Sequence, residues 1–453
     1  MKKIFTKSFF IVALFVLSTT GLWAKAVNVD EAKDLAHQFL TSNLKCNTPE
    51  NMKRVSPKAS LTLAYEAKAQ NGKSNLFVFN QGEKGFVIVA GDDQVSPILG
   101  YADAGAFDEG NMPEGFRYWL ESCSRYMEKA VAGEVKREDM TMMKSQSRSY
   151  AAYVNPLLGD IAFHQHEPYN GQCPMIDGER TIVGCVAISM GQIMTYYQWP
   201  KQGQGSYSYT TTDGLNVSAD FNTTYDWNNI LHYYDDNYSR QQSNAVAKML
   251  FHCGVSVNMD YGVDGSGSTD IYVPKALSEY FGYDRGMQVH YRAMYNFNDW
   301  KNLIKEELNN NRPIIYCGDS DEGGHAFNCD GYDSNDYFHI NWGWGGYYDG
   351  YYDLRYLDYE DNDQTAFNRG HSIVTGIKPD KGDGTETQTE LAHNLVLYSG
   401  TTVVRGNSGE DTLVCSFWNY GPGVFYGDMA LEVCDAWGDR YDLNILAEDF
   451  NLT

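Results

Sequence analysis

The sequence predicts an α+β protein built in several parts, on three observations. "VNVDEAKDLAHQFL" and "FRYWLESCSRYMEKAV" repeat apolar residues at helical spacing. "NLFVFNQGEKGFVIVAGDD" sets two apolar runs around a polar, Gly-containing turn, as a hairpin does. Toward the end, "LVLYSGTTVVRGNSGEDTLVCSFWNYG" and "DMALEVCDAWGDRYDL" alternate apolar and polar residues between turn signals, as sandwich strands do.

In chain order, "MKKIFTKSFFIVALFVLSTTGLWAKA" has a basic start, an apolar run from Phe9 to Leu17 and small residues at Ala24 and Ala26, the pattern of a cleaved export signal over 1–26. The run is too short to span a membrane, and no other segment approaches the roughly 20 apolar residues a spanning helix needs. Behind a capping Asp30, residues Ala32, Leu35, Ala36, Phe39 and Leu40 predict a first helix. The hairpin follows, and then a second helix with Phe116, Leu120, Cys123 and Met127 on one face. These make a small α+β unit. "KREDMTMMKSQSRSYAA" from Lys136 to Ala152 loses periodicity and reads as an exposed linker open to proteolytic processing.

A Gly-, Tyr- and Trp-rich segment runs from Val154 to Pro379, and "KPDKGDGTETQTE" reads as a second linker. The strands after it are too few to close a sandwich, so residues 380–453 read as a linker and the start of a β-sandwich-like domain in a longer chain.

With 59 acidic against 35 basic residues, the net charge of -24 opposes nucleic acid and anionic lipid as partners. Aromatic residues, including 34 Tyr, suit a cleft that grips an extended peptide or glycan. Nine cysteines are an odd number for an exported chain, and none forms a CxxC pair, which argues against a zinc site or a dense disulfide scaffold.

In "TIVGCVAISMGQIMTYYQW", Val186, Met190, Ile193, Met194 and Tyr197 mark one face of an amphipathic helix that opens at Cys185. Free N–H groups and the positive end of the helix dipole favour thiolate over thiol there. Taken alone, Cys185 reads more readily as a buried structural residue than as a nucleophile. In "GDSDEGGHAFNCDGYD", His325 follows two glycines at the start of a short strand, a placement suited to a general base. Asn341, Trp342 and Trp344 in "YFHINWGWGGYYDG" could hold an imidazole in one tautomer and shield it from water. Gln165, in "FHQHEPYNGQCP", could donate to a developing oxyanion.

The order Gln165, Cys185, His325, Asn341, Trp342, Trp344 resembles that of papain-like cysteine peptidases. The strings "PYN", "GCVAISMGQIMTYYQWP", "VSVNMDYG", "GGHAF" and "HINWGWGG" resemble the streptopain family of secreted bacterial enzymes, over Val154 to Pro379. The resemblance implies a papain-like catalytic domain over 151–379, preceded by an inhibitory prodomain with its processing linker over 27–150. It implies Cys185 as nucleophile, His325 as base and then acid, and Gln165 with the Cys185 amide as the oxyanion hole. It also implies a substrate groove that uses Gly324 and the loop of Ser266, Gly267 and Ser268, with Trp342 and Trp344 as a supporting wall and Asn341 orienting His325. Protein or peptide substrates, the chain's own prodomain as inhibitor, no metal or organic cofactor, and secretion or cell-surface residence follow from it. Cys329 is read as structural, aimed to the side opposite His325 by strand alternation. Two rival readings stand beside this one: a transglutaminase-like Cys-His acyl transferase with Asp330 or Asp333 as third member, and a non-enzymatic glycan-binding adhesin.

Overall fold

In the computed structural model, the strand-forming runs on both sides of the first linker join one sheet. The structure describes residues 26–43, 60–69, 71–132, 150–292, 295–320, 323–357 and 369–382, together with the backbone of strands between 395 and 452. The export signal (Ala26 apart) and most of the processing linker lie outside the described residues, as do the side chains after 382.

The N-terminal unit holds α1 (Val29–Asn43), β1 (Thr62–Lys68), β2 (Ser74–Asn80), β3 (Phe86–Ala90), β4 (Ile98–Ala102) and α2 (Glu114–Ala132). Next come the small hairpin β5 (Met175–Ile176) and β6 (Glu179–Arg180), then α3 (Cys185–Tyr197), β7 (Ser206–Thr210), β8 (Asn216–Asp220), α4 (Arg240–Ser256), α5 (Val273–Phe281), β9 (Gln288–Tyr291) and α6 (Phe297–Asn309). The chain continues through β10 (Ile314–Ser320), β11 (Gly323–Tyr332), β12 (Phe338–Asn341), β13 (Gly350–Tyr352), α7 (Leu354–Leu357) and β14 (Arg369–Thr375). Beyond the second linker, β15 (Leu395–Leu397) pairs with β18 (Phe417–Asn419), β16 (Thr402–Arg405) with β17 (Asp411–Val414), and β19 (Phe425–Cys434) with β20 (Arg440–Leu452).

The main sheet has ten antiparallel strands in the order β1-β2-β3-β4-β13-β12-β11-β10-β14-β9. Its seam is short: Tyr101 of β4 pairs with Tyr351 of β13, and Gly100 with Tyr352. Strand alternation then sorts the core into layers. Ile315, Ala326 and Val374 face the layer that contains α3 and α4, whereas Tyr316, Phe327 and Ile373 face the layer that contains α2 and α6. That second layer is shared by the two units. Phe116 of α2 stacks on Tyr348 and meets Trp342 edge-on, Trp119 tilts against Trp342 and meets Tyr352 edge-on, and the Trp119 indole donates to the Tyr356 carbonyl at 3.0 Å. α1 covers the outer face of the N-terminal strands, where Ala32 and Ala36 meet Phe77, Phe79 and Val89.

Two local expectations change. Asn28, not Asp30, caps α1: its Oδ1 accepts from the amides of Asp30 and Glu31, both at 3.0 Å. α3 is not amphipathic. Every residue from Val186 to Thr195 is buried, because the helix runs between the sheet and α4, as an all-round buried central helix does.

Candidate active site

Cys185 is the first residue of α3, and Gly184 before it holds φ 91° and ψ 136°. A side chain is strained there by the backbone, and a Cβ would also sit 2.4 Å from Met259 Sδ and 3.2 Å from the Ser266 carbonyl, which would have to give way. The glycine therefore lets the loop of Met259 to Ser268 lie against the helix mouth. Gln165 approaches from the other side. Its carbonyl accepts from the Val183 amide at 3.1 Å and its Oε1 from the Gly184 amide at 3.0 Å. With Oε1 turned to the backbone, the amide nitrogen of Gln165 is the end left to donate elsewhere.

His325 lies on β11 and is buried. Its Nε2 meets the Trp342 carbonyl at 2.9 Å. A carbonyl only accepts, so Nε2 carries the proton and Nδ1 is the basic nitrogen of the neutral ring. The Trp344 ring stacks on the imidazole at 4.9 Å and 16°, and Trp342 stacks on Trp344 at 5.1 Å and 3°. Burial pushes His325 down to about 4, against which the Trp342 carbonyl acts weakly. Trp342 itself is held by its indole N–H on the Tyr348 carbonyl at 3.1 Å.

Asn341 does not orient His325. Its Oδ1 accepts from Gln192 Nε2 at 2.9 Å and from the Gly343 amide at 3.1 Å, and its Nδ2 donates to the Ile161 carbonyl at 2.8 Å. The cause is strand geometry. Asn341 pairs with Asn328 and shares its face toward α3, whereas His325 shares the opposite face of β11 with Phe327. The acceptor for the imidazole is thus the main chain one residue on, which no side-chain pattern announces. Alternation also corrects the placing of Cys329: four residues from His325, it lies on the same face, fully buried among the aromatics, and burial pushes its thiol well up. Cys329 is inert packing.

The groove candidates divide. Gly324 is exposed beside His325 at the end of β11. The Ser266 hydroxyl donates to the Ile182 carbonyl at 2.7 Å and the Ser268 hydroxyl to the Val257 carbonyl, so both side chains fasten the loop. Gly267 exchanges backbone bonds with Asp260. What this loop offers beside Cys185 is backbone. The Asp residues of the acyl-transferase reading are engaged elsewhere: Asp330 with His339 at 2.6 Å and the Leu158 amide, Asp333 with Tyr101 and its own turn.

Gln192 and Asn328, which no motif singles out, join their amides at 2.7 Å and tie α3 to β11. A glutamine among the buried apolar residues of a central helix was the available signal. The described cysteines, Cys185 among them, are thiols, and no group of three or more His, Cys, Asp or Glu among the described residues is arranged to hold a metal.

A thiol at the start of a central helix, a glutamine fastened to that helix mouth and a histidine on the facing sheet define a papain-like cysteine peptidase. A profile of the Peptidase C10 family matches residues 163–352, and one of the Spi protease inhibitor matches residues 24–127. Streptopain of Streptococcus pyogenes is 33% identical over 378 residues, an alignment that takes in 78% of this chain and 92% of streptopain. The thiol protease/hemagglutinin PrtT of Porphyromonas gingivalis is 32% identical over 419 residues, 87% of this chain and 47% of PrtT, so the chain spans about half the length of that relative. Among solved structures, a prointerpain A fragment from Prevotella intermedia superposes with a TM-score of 0.61 at 31% identity, covering 71% of this chain and 99% of that one. The chain belongs to the Peptidase C10 family of thiol proteases and carries an inhibitor-type prodomain.

Proposed function

We propose that the chain is an exported bacterial cysteine endopeptidase made as a zymogen, with residues 27–150 as prodomain and linker, 151–379 as the peptidase, and 380–453 as a linker and β-rich extension. His325 Nδ1 takes the proton of the Cys185 thiol, and the thiolate attacks a peptide carbonyl; the C=O electrons move to oxygen, which the Gln165 amide and the Cys185 N–H receive. Collapse breaks the C–N bond while His325 gives its proton to the leaving amine. Water, deprotonated by the same imidazole, then adds to the thioester carbonyl; the C–S bond breaks to release the acid, and the imidazolium returns its proton to the Cys185 sulfur. The carrying observation is the Gln165–Gly184 hydrogen bond, which fastens the oxyanion donor to the turn that presents the thiol. No metal or organic cofactor enters these steps, and a ready thiolate makes activity depend on reducing conditions.

Latency is supported by the shared sheet and by the packing of Phe116 and Trp119 on the aromatic layer behind His325. Export is supported by the signal over 1–26, and processing by the polar stretch around Lys144 to Ala152. The test is to express residues 27–453 with and without Cys185→Ala, under reducing conditions, and follow self-cleavage and casein hydrolysis with and without a thiol alkylator. Only the unmodified parent should process itself and cut casein, and the new N-terminus gives the processing site. If both forms stay inert after the linker is cut by an added protease, the reading falls.

A further inference from the structure

Residues 163–165 join the two halves of the site. The Phe163 carbonyl accepts from the Gly345 amide at 2.8 Å, which fixes residue 163 to the loop that carries Trp344. Gln165 is fixed to Val183 and Gly184 on the nucleophile's side. His164 stands between them, and the reaction as written gives it no part. Its Nδ1 accepts from the His166 amide at 3.2 Å, closing a turn around Gln165. The ring meets the buried Tyr169 edge-on at 4.5 Å, and lies so close to Gly345 that a Cβ there would be 3.3 Å from Cδ2. Gly345 holds φ 70°, so both the space and the backbone at that position call for glycine. A nitrogen that accepts from an amide is unprotonated, and burial, with His166 nearby, pushes His164 down to about 4, so the ring is neutral at ordinary pH.

We propose that His164 is a positioning residue: its neutral imidazole closes the 164–166 turn, holds the Gln165 amide at the mouth of the Cys185 helix, and keeps it in register with the loop that stacks on His325. The inference rests on reading Gln165 as the oxyanion donor. Two properties of the side chain are at work, and they can be separated. Phenylalanine keeps a ring against Tyr169 and Gly345 without an acceptor. Asparagine keeps an acceptor for the amide two residues on, as Asn commonly does in turns, without the ring.

The experiment uses the full chain, processed by added parent enzyme where a variant does not process itself, with kcat and KM measured on a fluorogenic peptide. His164→Phe should lower kcat about tenfold, the order one hydrogen bond supplies, with KM within about twofold. His164→Asn should restore most of kcat. Affinity for a peptide aldehyde, whose hemithioacetal oxygen enters the oxyanion hole, should fall with kcat in His164→Phe, while alkylation of Cys185 by iodoacetamide keeps the parent rate. Parent kcat in His164→Phe overturns the proposal, as does equal loss in both variants or a parallel loss of alkylation. Gln165→Ala separates the premise: full activity there removes the oxyanion role itself, whereas an impaired Gln165→Ala beside an unaffected His164→Phe removes only the role of His164.

Discussion

Replacing Gly184 by alanine tests the geometry of the nucleophile's turn. With φ at 91° and ψ at 136°, the backbone lies where L side chains rarely go, and forcing one there costs about 1–3 kcal/mol. The new Cβ would also lie 2.4 Å from the sulfur and 2.5 Å from the methyl of Met259. Met259 is fully buried, so it yields only by disturbing its own neighbours, a cost of about 1–3 kcal/mol for an overpacked site. The sum is about 2–6 kcal/mol, and the backbone can relieve it by rotating the 183–184 peptide, which swings the Gly184 N–H away from Gln165. Gly184→Ala should therefore lower the urea midpoint of the processed enzyme and reduce kcat/KM by about 30-fold or more, the rate equivalent of the lower bound. Gly265→Ala is the control, since nothing lies within 4 Å of a Cβ there, and it should stay within about 0.5 kcal/mol of the parent. A Gly184→Ala enzyme with the parent's midpoint and kcat/KM would refute the reasoning.

Other expectations follow from the same structure. Gln165→Ala should cost about 100- to 1,000-fold in kcat, as loss of an oxyanion donor does; a change confined to KM contradicts the role. Asn341→Ala should destabilise the fold by about 1–3 kcal/mol, because it leaves Gln192 and the Ile161 carbonyl without their buried partner; a kcat loss with unchanged unfolding midpoint would restore it as an orienting residue. Trp119→Ala should lower the precursor's stability by about 3–5 kcal/mol through a cavity in the shared layer, and the processed enzyme, which lacks α2, gives the baseline. For pH, His325 falls to about 4 in the folded chain from an ordinary value of about 6.5. Folding then favours the neutral ring; this stability is full above pH 6.5 and is lost as pH falls through 4, about 3 kcal/mol in all. The urea midpoint of the Cys185→Ala precursor should drop further between pH 7 and 4.5 than that of the same protein with His325→Gln; equal drops would show that His325 is not held neutral.

Much of this arrangement was legible because it rests on local signals. The helical period places Phe116, Leu120, Cys123 and Met127 on the buried face of α2, and the apolar run after Cys185 places a helix that opens at that residue. What stayed hidden depends on contacts distant in sequence. Nothing in "SPILGYADAG" says that β4 will find β13 some 250 residues later, so the N-terminal unit reads as separate when its sheet is continuous with the rest. The Trp342 carbonyl as acceptor for His325 stays hidden for a related reason: the sequence offers Asn341 as a side-chain partner, whereas the bond goes to a carbonyl, a group every residue possesses. The tilt of Asn341 toward α3 becomes visible only when its register with Asn328 is known.

The seam between the two units has a consequence for solubility after activation. Departure of the N-terminal strands turns β13 into a border of the sheet, and exposed borders invite strands from neighbouring molecules. This border is three residues long, begins with a glycine, and offers two residue pairs. So short a stub gives a second copy little to grip, and residues 151–453, with 42 acidic against 16 basic residues and a net charge of -26, add repulsion between copies. The zymogen is joined where parting leaves the least adhesive scar.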